Sequence, residues 1–261
     1  MKRLKRLDTP EGRCYIYMID KKKSYEEGGF ILMPSVTTIL SLFESKKLQE
    51  LEQSMGKEAL EALGQKAARK GTCMHAFLEN YFICIKNGGD GDRCLMYTQK
   101  KSPEELRNDG LLDESINPGR DLFYNYMHEG YLDRVNKVVF TEKFIWSLKH
   151  KFAGTADFGY LTDLMEVIIA DFKSASGVRD EETLKKYEMQ LAAYVIAFEE
   201  IYNQKVTRAE VWVSHPNGIQ EVKLDGAQME ERKIQFIEMA EKYHSQWDPQ
   251  NIVNKYYKVA S

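Results

Sequence analysis

The residues best suited to chemistry are two aspartates and a lysine in "GTADFGYLTDLMEVIIADFKSA", Gly154 to Ala175. Asp157 stands near the end of one apolar strand pattern, and Asp171 leaves a second apolar run fourteen residues later with Lys173 two positions beyond it. Charged side chains leave water only at a large cost unless something compensates, so the pattern asks for a ligand. If the two strands are neighbours, Asp157 and Asp171 meet at one end of the sheet. Period-two alternation then puts Asp171 and Lys173 on one face. Two carboxylates that close repel and hold a proton between them unless a cation sits there. A hard cation such as Mg²⁺, with Mn²⁺ able to substitute, would take both carboxylates, the Phe172 backbone carbonyl and water. Lys173 would then orient or deprotonate the attacking water, or stabilise charge on a phosphate in flight. That is the chemistry of phosphodiester hydrolysis. The competing reading makes Asp171 and Lys173 a surface pair and Asp157 a turn cap.

Three strand patterns must hold these residues: "KVVFTEKFIWSL", "FAGTADFGYLT" and "MEVIIADFKSA", all rich in β-branched and aromatic side chains. A helix around Gly119 to Glu129 precedes them, and "DEETLKKYEMQLAAYVIAFEEIYN" follows as a long amphipathic helix opening on acids that suit its positive end. "TRAEVWVSH" and "IQEVKLD" form a hairpin across "PNG", and "GAQMEERKIQFIEMAEKYHSQW" closes as a helix. Upstream, "RCYIYMID" and "GGFILMP" read as a hairpin, Ser35 reads as a helix N-cap, and 46–85 reads as helical with a break near Gly71. The glycine-rich stretch 87–110 reads as a loop. The predicted fold class is α/β, a mixed central sheet flanked by helices, in a single domain over 1–261. The N-terminal hairpin and helices (1–70) would arch over the site, with a core over 71–225, an insertion near 87–118 and a C-terminal helix and tail over 226–261.

Composition fits this: 43% hydrophobic and 30% charged residues, without an apolar run of membrane-spanning length. The basic first six residues lead into polar sequence and not into the apolar core of a signal peptide, so cytoplasmic residence is expected, with no membrane contact. Cys14, Cys73, Cys84 and Cys94 show no metal-binding spacing, and free thiols without a disulfide are expected. A net charge of -3 does not mark a nucleic-acid binder, although Lys21 to Lys23, Lys66/Arg69/Lys70 and Lys185/Lys186 are local basic patches.

The ordered motifs "GTCMHAFLE", "GTAD", "IIADFKSAS" and "QLAAY" resemble the PD-(D/E)xK nuclease superfamily in its RecB-like branch, over Gly71 to Tyr194. The resemblance implies a restriction-endonuclease-like core of order αβββαβ. It makes His75, Asp157 and Asp171 metal ligands and Lys173 the catalytic lysine. Gln190 and Tyr194, one helical turn apart and sharing a face with Lys186, would contact and position substrate, with core packing the alternative for Tyr194. Glu142 matches a glutamate often found before the G-x-x-D strand and would be a supporting or second-metal ligand, or plain strand alternation. Glu79 shares the His75 helix face, while Ser174 and Arg179 lie where a phosphate backbone would pass. Tyr187, Tyr194 and Trp146 are candidates for base stacking or for the core. "MPSVTTILS" and "AEVWVSHPNG" are similar to the mitochondrial genome maintenance exonucleases and their phage relatives. No cysteine follows Cys94, so no iron-sulfur cluster is expected.

The expected function is therefore a Mg²⁺-dependent DNA exonuclease preferring single-stranded ends, in phage or bacterial replication, repair or recombination, alongside proteins of those processes. The alternatives are a lambda-type double-strand exonuclease and a non-catalytic nucleic-acid-binding subunit.

Overall fold

Apolar runs bounded by turn residues become strands, and the amphipathic runs become the helices that cover them. The computed structural model describes residues 4–42, 53–91, 94 and 117–257. The chain opens with β1 (Leu4–Thr9), β2 (Gly12–Met18) and β3 (Phe30–Pro34), an antiparallel sheet in that order, followed by α1 (Val36–Leu40), α2 (Lys57–Lys86) and α3 (Asn117–His128). Next come β4 (Lys137–Ser147), β5 (Phe152–Leu161), β6 (Val167–Ser174), α4 (Glu181–Tyr202), β7 (Arg208–His215), β8 (Gly218–Asp225), α5 (Gly226–His244) and α6 (Pro249–Tyr256). Strands β4 to β8 make a five-stranded sheet in sequence order. Only β6 and β7 run parallel, joined by the long α4 crossover that a parallel pair requires.

The first six residues of β6 are buried, as expected of a central strand covered on both faces. One face carries Ile169, Val211 and Val213 against Met189, Ala193 and Phe198 of α4 and Phe236 of α5. The other carries Ile168, Phe172 and Trp212 against Met74 and Phe82 of α2 and Phe123 and Tyr126 of α3. The mixed α/β architecture read in the sequence is the observed one. Its helix ends follow capping chemistry. Ser35 accepts the Thr38 N–H (2.9 Å) at the start of α1, and Asp180 accepts the Thr183 N–H (2.9 Å) at the start of α4. Among the described residues, no helix is long and apolar enough to cross a membrane.

Several expectations are corrected. The N-terminal hairpin is a three-stranded sheet, because β1 pairs with β2 across the Pro10 to Gly12 turn. This sheet leans on β4 and β5 through Tyr15, whose hydroxyl lies 3.3 Å from Thr155 Oγ1, and through Tyr17, packed against Trp146. The C-terminal tail contains α6, capped by Asp248 with Pro249 in its first turn, a helix-start signature present in the sequence. Helix α2 continues unbroken through Gly71. A Cβ at Gly71 would lie 3.0 Å from Ser174 Oγ, so this glycine serves the close approach of α2 to the end of β6. Cys84 and Cys94 form a disulfide, against the expectation of free thiols. The turn after α2 folds back and brings their Cα atoms to 5.4 Å, within bridging range. Cys14 and Cys73 are buried and outside the disulfide. Much of the expected 87–118 loop, and 46–52 of the expected helix, lie outside the described residues.

Gly154 also makes room for a side chain: its added Cβ would stand 2.9 Å from Tyr194 Cε1 and 3.3 Å from Val36 Cγ2. Gly154→Ala is expected to destabilise the fold by about 1–3 kcal/mol, measured as a lowered urea midpoint at unchanged slope. An unchanged midpoint would mean that Tyr194 is not held there.

Candidate active site

The site begins with a backbone problem. Strands β5 and β6 pair only from Phe158↔Ala170 to Leu161↔Val167; beyond that they diverge, while β6 stays paired with β7 as far as Ser174. The peptide groups of Phe172 that would have met β5 need other partners. Asp157 Oδ2 accepts the Phe172 N–H at 2.9 Å, and His75 Nε2 lies 2.9 Å from the Phe172 carbonyl oxygen. Asp157, on β5, and His75, on α2, are thus tied to the residue between Asp171 and Lys173.

Around this peptide the charges converge. Asp171 is 1% exposed and forms an ion pair with Lys173. Its other oxygen accepts from Gln190 Nε2 at 3.2 Å, and Gln190 also donates to Tyr194 Oη at 2.8 Å. His75 Nδ1 stands 3.7 Å from both Glu142 Oε1 and Asp157 Oδ2. Glu142 lies opposite Asp157 on β4, between the pairs Thr141↔Phe158 and Lys143↔Ala156, with a left-handed backbone (φ 43°). Such a conformation costs a non-glycine residue on the order of 1–3 kcal/mol and persists where the surroundings enforce it.

Proton affinities follow from this crowding. Burial lowers that of His75, but the charge of Asp157 and the nearby Glu142 carboxylate outweigh it and raise its pKa to about 9. Burial, reinforced by the Asp157 charge, raises the Asp171 carboxyl despite Lys173 beside it. Burial lowers the Lys173 pKa, and Asp171 and Asp157 more than restore it, so the net shift is upward. The shift favours the protonated imidazole, and Nε2 donates to the Phe172 carbonyl, which can only accept.

These residues fit a divalent cation. One donor atom each from His75, Glu142 and Asp157 lie within 4.8 Å of one another, and two carboxylates with an imidazole suit a metal that accepts mixed oxygen and nitrogen ligands. Asp171, expected as a ligand, is buried and paired with Lys173 and is not in this group of three, whereas Glu142, left open between support and alternation, is. The Phe172 carbonyl is on the same cleft, which has a volume of about 700 Å³ and is also lined by Lys173, Ser174, Glu79 and Gly71.

Other expected contacts lie elsewhere. Gln190 and Tyr194, expected to contact substrate, are 9% and 3% exposed, touch Asp171 and Gly154, and do not line the cleft, because the helix packs close against the sheet there. Arg179 is tied through its backbone N–H and C=O to the Gln220 amide of β8, and Lys186 is half-buried on α4; neither lines the cleft. Trp146 packs on Tyr17, and Tyr187 lies beneath Lys173, whose Nζ is 5.5 Å from the ring centre. Arg6 of β1 was missed. It lines the cleft while Asp8 binds its Nε at 2.8 Å, and only the short turn at Pro10 to Gly12, which returns β1 along β2, signalled its position. Lys66, Arg69 and Lys70 lie on the stretch of α2 whose Ala67, Ala68 and Gly71 line the same cleft.

No family model matches this chain, and no curated protein matches it in sequence. Among solved structures it is similar to the crystal structure of SSO0001, at 14% identity and a TM-score of 0.34 over 59% of this chain and 70% of that one. It is also similar to the crystal structure of a "Putative exonuclease" from Eubacterium rectale, at 10% identity and a TM-score of 0.38 over 67% of this chain and 69% of that one.

Asp157 both anchors the Phe172 N–H and belongs to the His75–Glu142–Asp157 group. Asp157→Asn is expected to weaken Mn²⁺ or Mg²⁺ binding by at least about 10–100-fold, read from the cation concentration needed to raise the melting temperature. A wild-type melting temperature indifferent to both cations would contradict the metal assignment.

Proposed function

We propose that the protein is a metal-dependent nuclease of PD-(D/E)xK type, hydrolysing phosphodiester bonds of DNA with Mg²⁺ or Mn²⁺. The observation that carries this reading is the gathering of His75, Glu142, Asp157, Asp171 and Lys173 around the Phe172 peptide, beside a cleft that His75, Glu142 and Lys173 line. A divalent cation bound there would polarise the phosphodiester and lower the pKa of water. His75, Glu142 and Asp157 would hold it, together with the Phe172 carbonyl once His75 has given up its proton, and Asp171 would stay oriented by Gln190. Lys173, the charged group facing the cleft beside Asp171, would orient the attacking water and offset charge gathering on the phosphate. Arg6 enters the cleft from β1, where its charge suits the approaching DNA backbone.

The preference for single-stranded ends, and a place in phage or bacterial DNA replication, repair or recombination, rest on the likeness of "MPSVTTILS" and "AEVWVSHPNG" to the mitochondrial and phage exonucleases. The test uses end-labelled linear single-stranded DNA beside closed circular single strands, with Mg²⁺ or EDTA. Linear DNA is expected to be degraded only with Mg²⁺, and Lys173→Ala to slow this by roughly 100- to 1,000-fold while leaving binding intact. Cutting of the circle would make the protein an endonuclease. An uncut strand that is still bound would contradict the catalytic reading.

A further inference from the structure

A second cleft, about 780 Å³ in volume, lies between β3, the β4–β5 turn and the C-terminal end of α5. Its walls combine aromatic rings with cations: Tyr25 and Trp247 on one side, Lys149 and Lys151 on the turn. Among the described residues neither lysine has an ion-pair partner, and one carboxylate, Glu241, shares the lining with them. Burial, with Lys149 nearby, lowers the pKa of His150, and burial lowers that of His244; the positive charge of the cleft is therefore that of the lysines.

The turn that carries the lysines is held by a dense set of hydrogen bonds. Glu200 of α4 accepts from the Ser147 hydroxyl, from the Leu148 N–H at 2.8 Å and from the Lys149 N–H at 3.2 Å. The His150 N–H donates to Ser147 Oγ at 2.9 Å, and the His150 carbonyl meets His244 Nε2 at 3.2 Å. Lys151 is nevertheless left-handed (φ 54°), at a position where glycine or asparagine would be easier. On the opposite wall the Trp247 indole N–H is buried without an acceptor.

The β4–β5 turn is at the end of the sheet where β5 and β6 diverge, and Ser147 lies five residues along β4 from Glu142, roughly 17 Å at the strand rise. We propose that this second cleft grips the same single-stranded DNA beyond the bond being cut, stacking a base on Tyr25 and Trp247 and pairing phosphates with Lys149 and Lys151. It rests on the nuclease reading above. Aromatic faces beside cations suit an unpaired strand, whose bases are free to stack, whereas the bases of a duplex are already stacked on one another.

The test measures binding in EDTA of oligothymidylates of about 4 and about 20 nucleotides, the shorter filling one cleft and the longer reaching both. Wild type is compared with a double variant, Lys149→Ala with Lys151→Gly. Glycine accepts the left-handed backbone, so the variant is expected to melt no lower than wild type. For the long strand, the salt dependence of log K is expected to fall by about 1.4, near 0.7 for each phosphate that is no longer neutralised. Binding of the short strand, and its cleavage once Mg²⁺ is supplied, stay as in wild type. An unchanged salt slope on the long strand overturns the inference, as does equal loss on a duplex or on the short strand. A wild type that binds long DNA through these lysines but cuts nothing keeps the second cleft and removes the nuclease reading. A wild type that binds neither strand removes both.

Discussion

The Phe172 peptide is the constraint on which the site depends. It lies in a strand that must stay paired with β7 after β5 has turned away, and its N–H and C=O face the gap. An unpaired amide buried there would cost about 1–3 kcal/mol. Asp157 and His75 remove that cost by hydrogen bonding to its two sides, and in doing so are fixed beside the Asp171 and Lys173 side chains that flank it in sequence. The same stretch of β6 borders the cleft lined by His75, Glu142 and Lys173. Structural need and chemical placement are met by one arrangement.

Around that peptide the charges nearly balance. Glu142, Asp157 and Asp171 face Lys173 and a protonated His75, so the metal-free protein partly neutralises its own carboxylates. A divalent cation bound there, as proposed, would take over the neutralisation once His75 had released its proton, so metal binding would be coupled to proton release. Packing holds β6 in place around the cluster. Phe82, Phe158 and Tyr126 pack around Phe172, and Gln190 and Tyr194 close the opposite face behind Asp171. The small residues of the motifs serve approach: Gly71 lets α2 reach Ser174, and Gly154 leaves room for Tyr194.

The sequence was most informative where a local pattern decides the outcome. Period-two apolar runs marked β4, β5 and β6, and acids before an amphipathic run marked α4. The spacing of Asp157, Asp171 and Lys173 placed them on adjacent strands, where the structure has them. What escaped depends on contacts between distant elements. Helical spacing linked Gln190 to Tyr194 but could not say that the helix buries both against Asp171. Alternation along β4 could not anticipate the left-handed Glu142 that turns toward His75. Arg6 comes from a strand whose charged sequence hid its pairing with β2, and the Cys84–Cys94 bridge comes from a chain reversal that spacing alone does not reveal.

The most direct test of the central claim is to follow the fate of water oxygen. Single-stranded DNA is incubated with the protein in heavy-oxygen water with Mg²⁺ or Mn²⁺, and the products are weighed by mass spectrometry. Hydrolysis at the cluster predicts one heavy oxygen on the new terminal phosphate that each cut creates, the other new end being an unlabelled hydroxyl, with the label present with metal and absent with EDTA or after Asp157→Asn. Products without the label, or DNA left whole under every metal condition, would contradict the account.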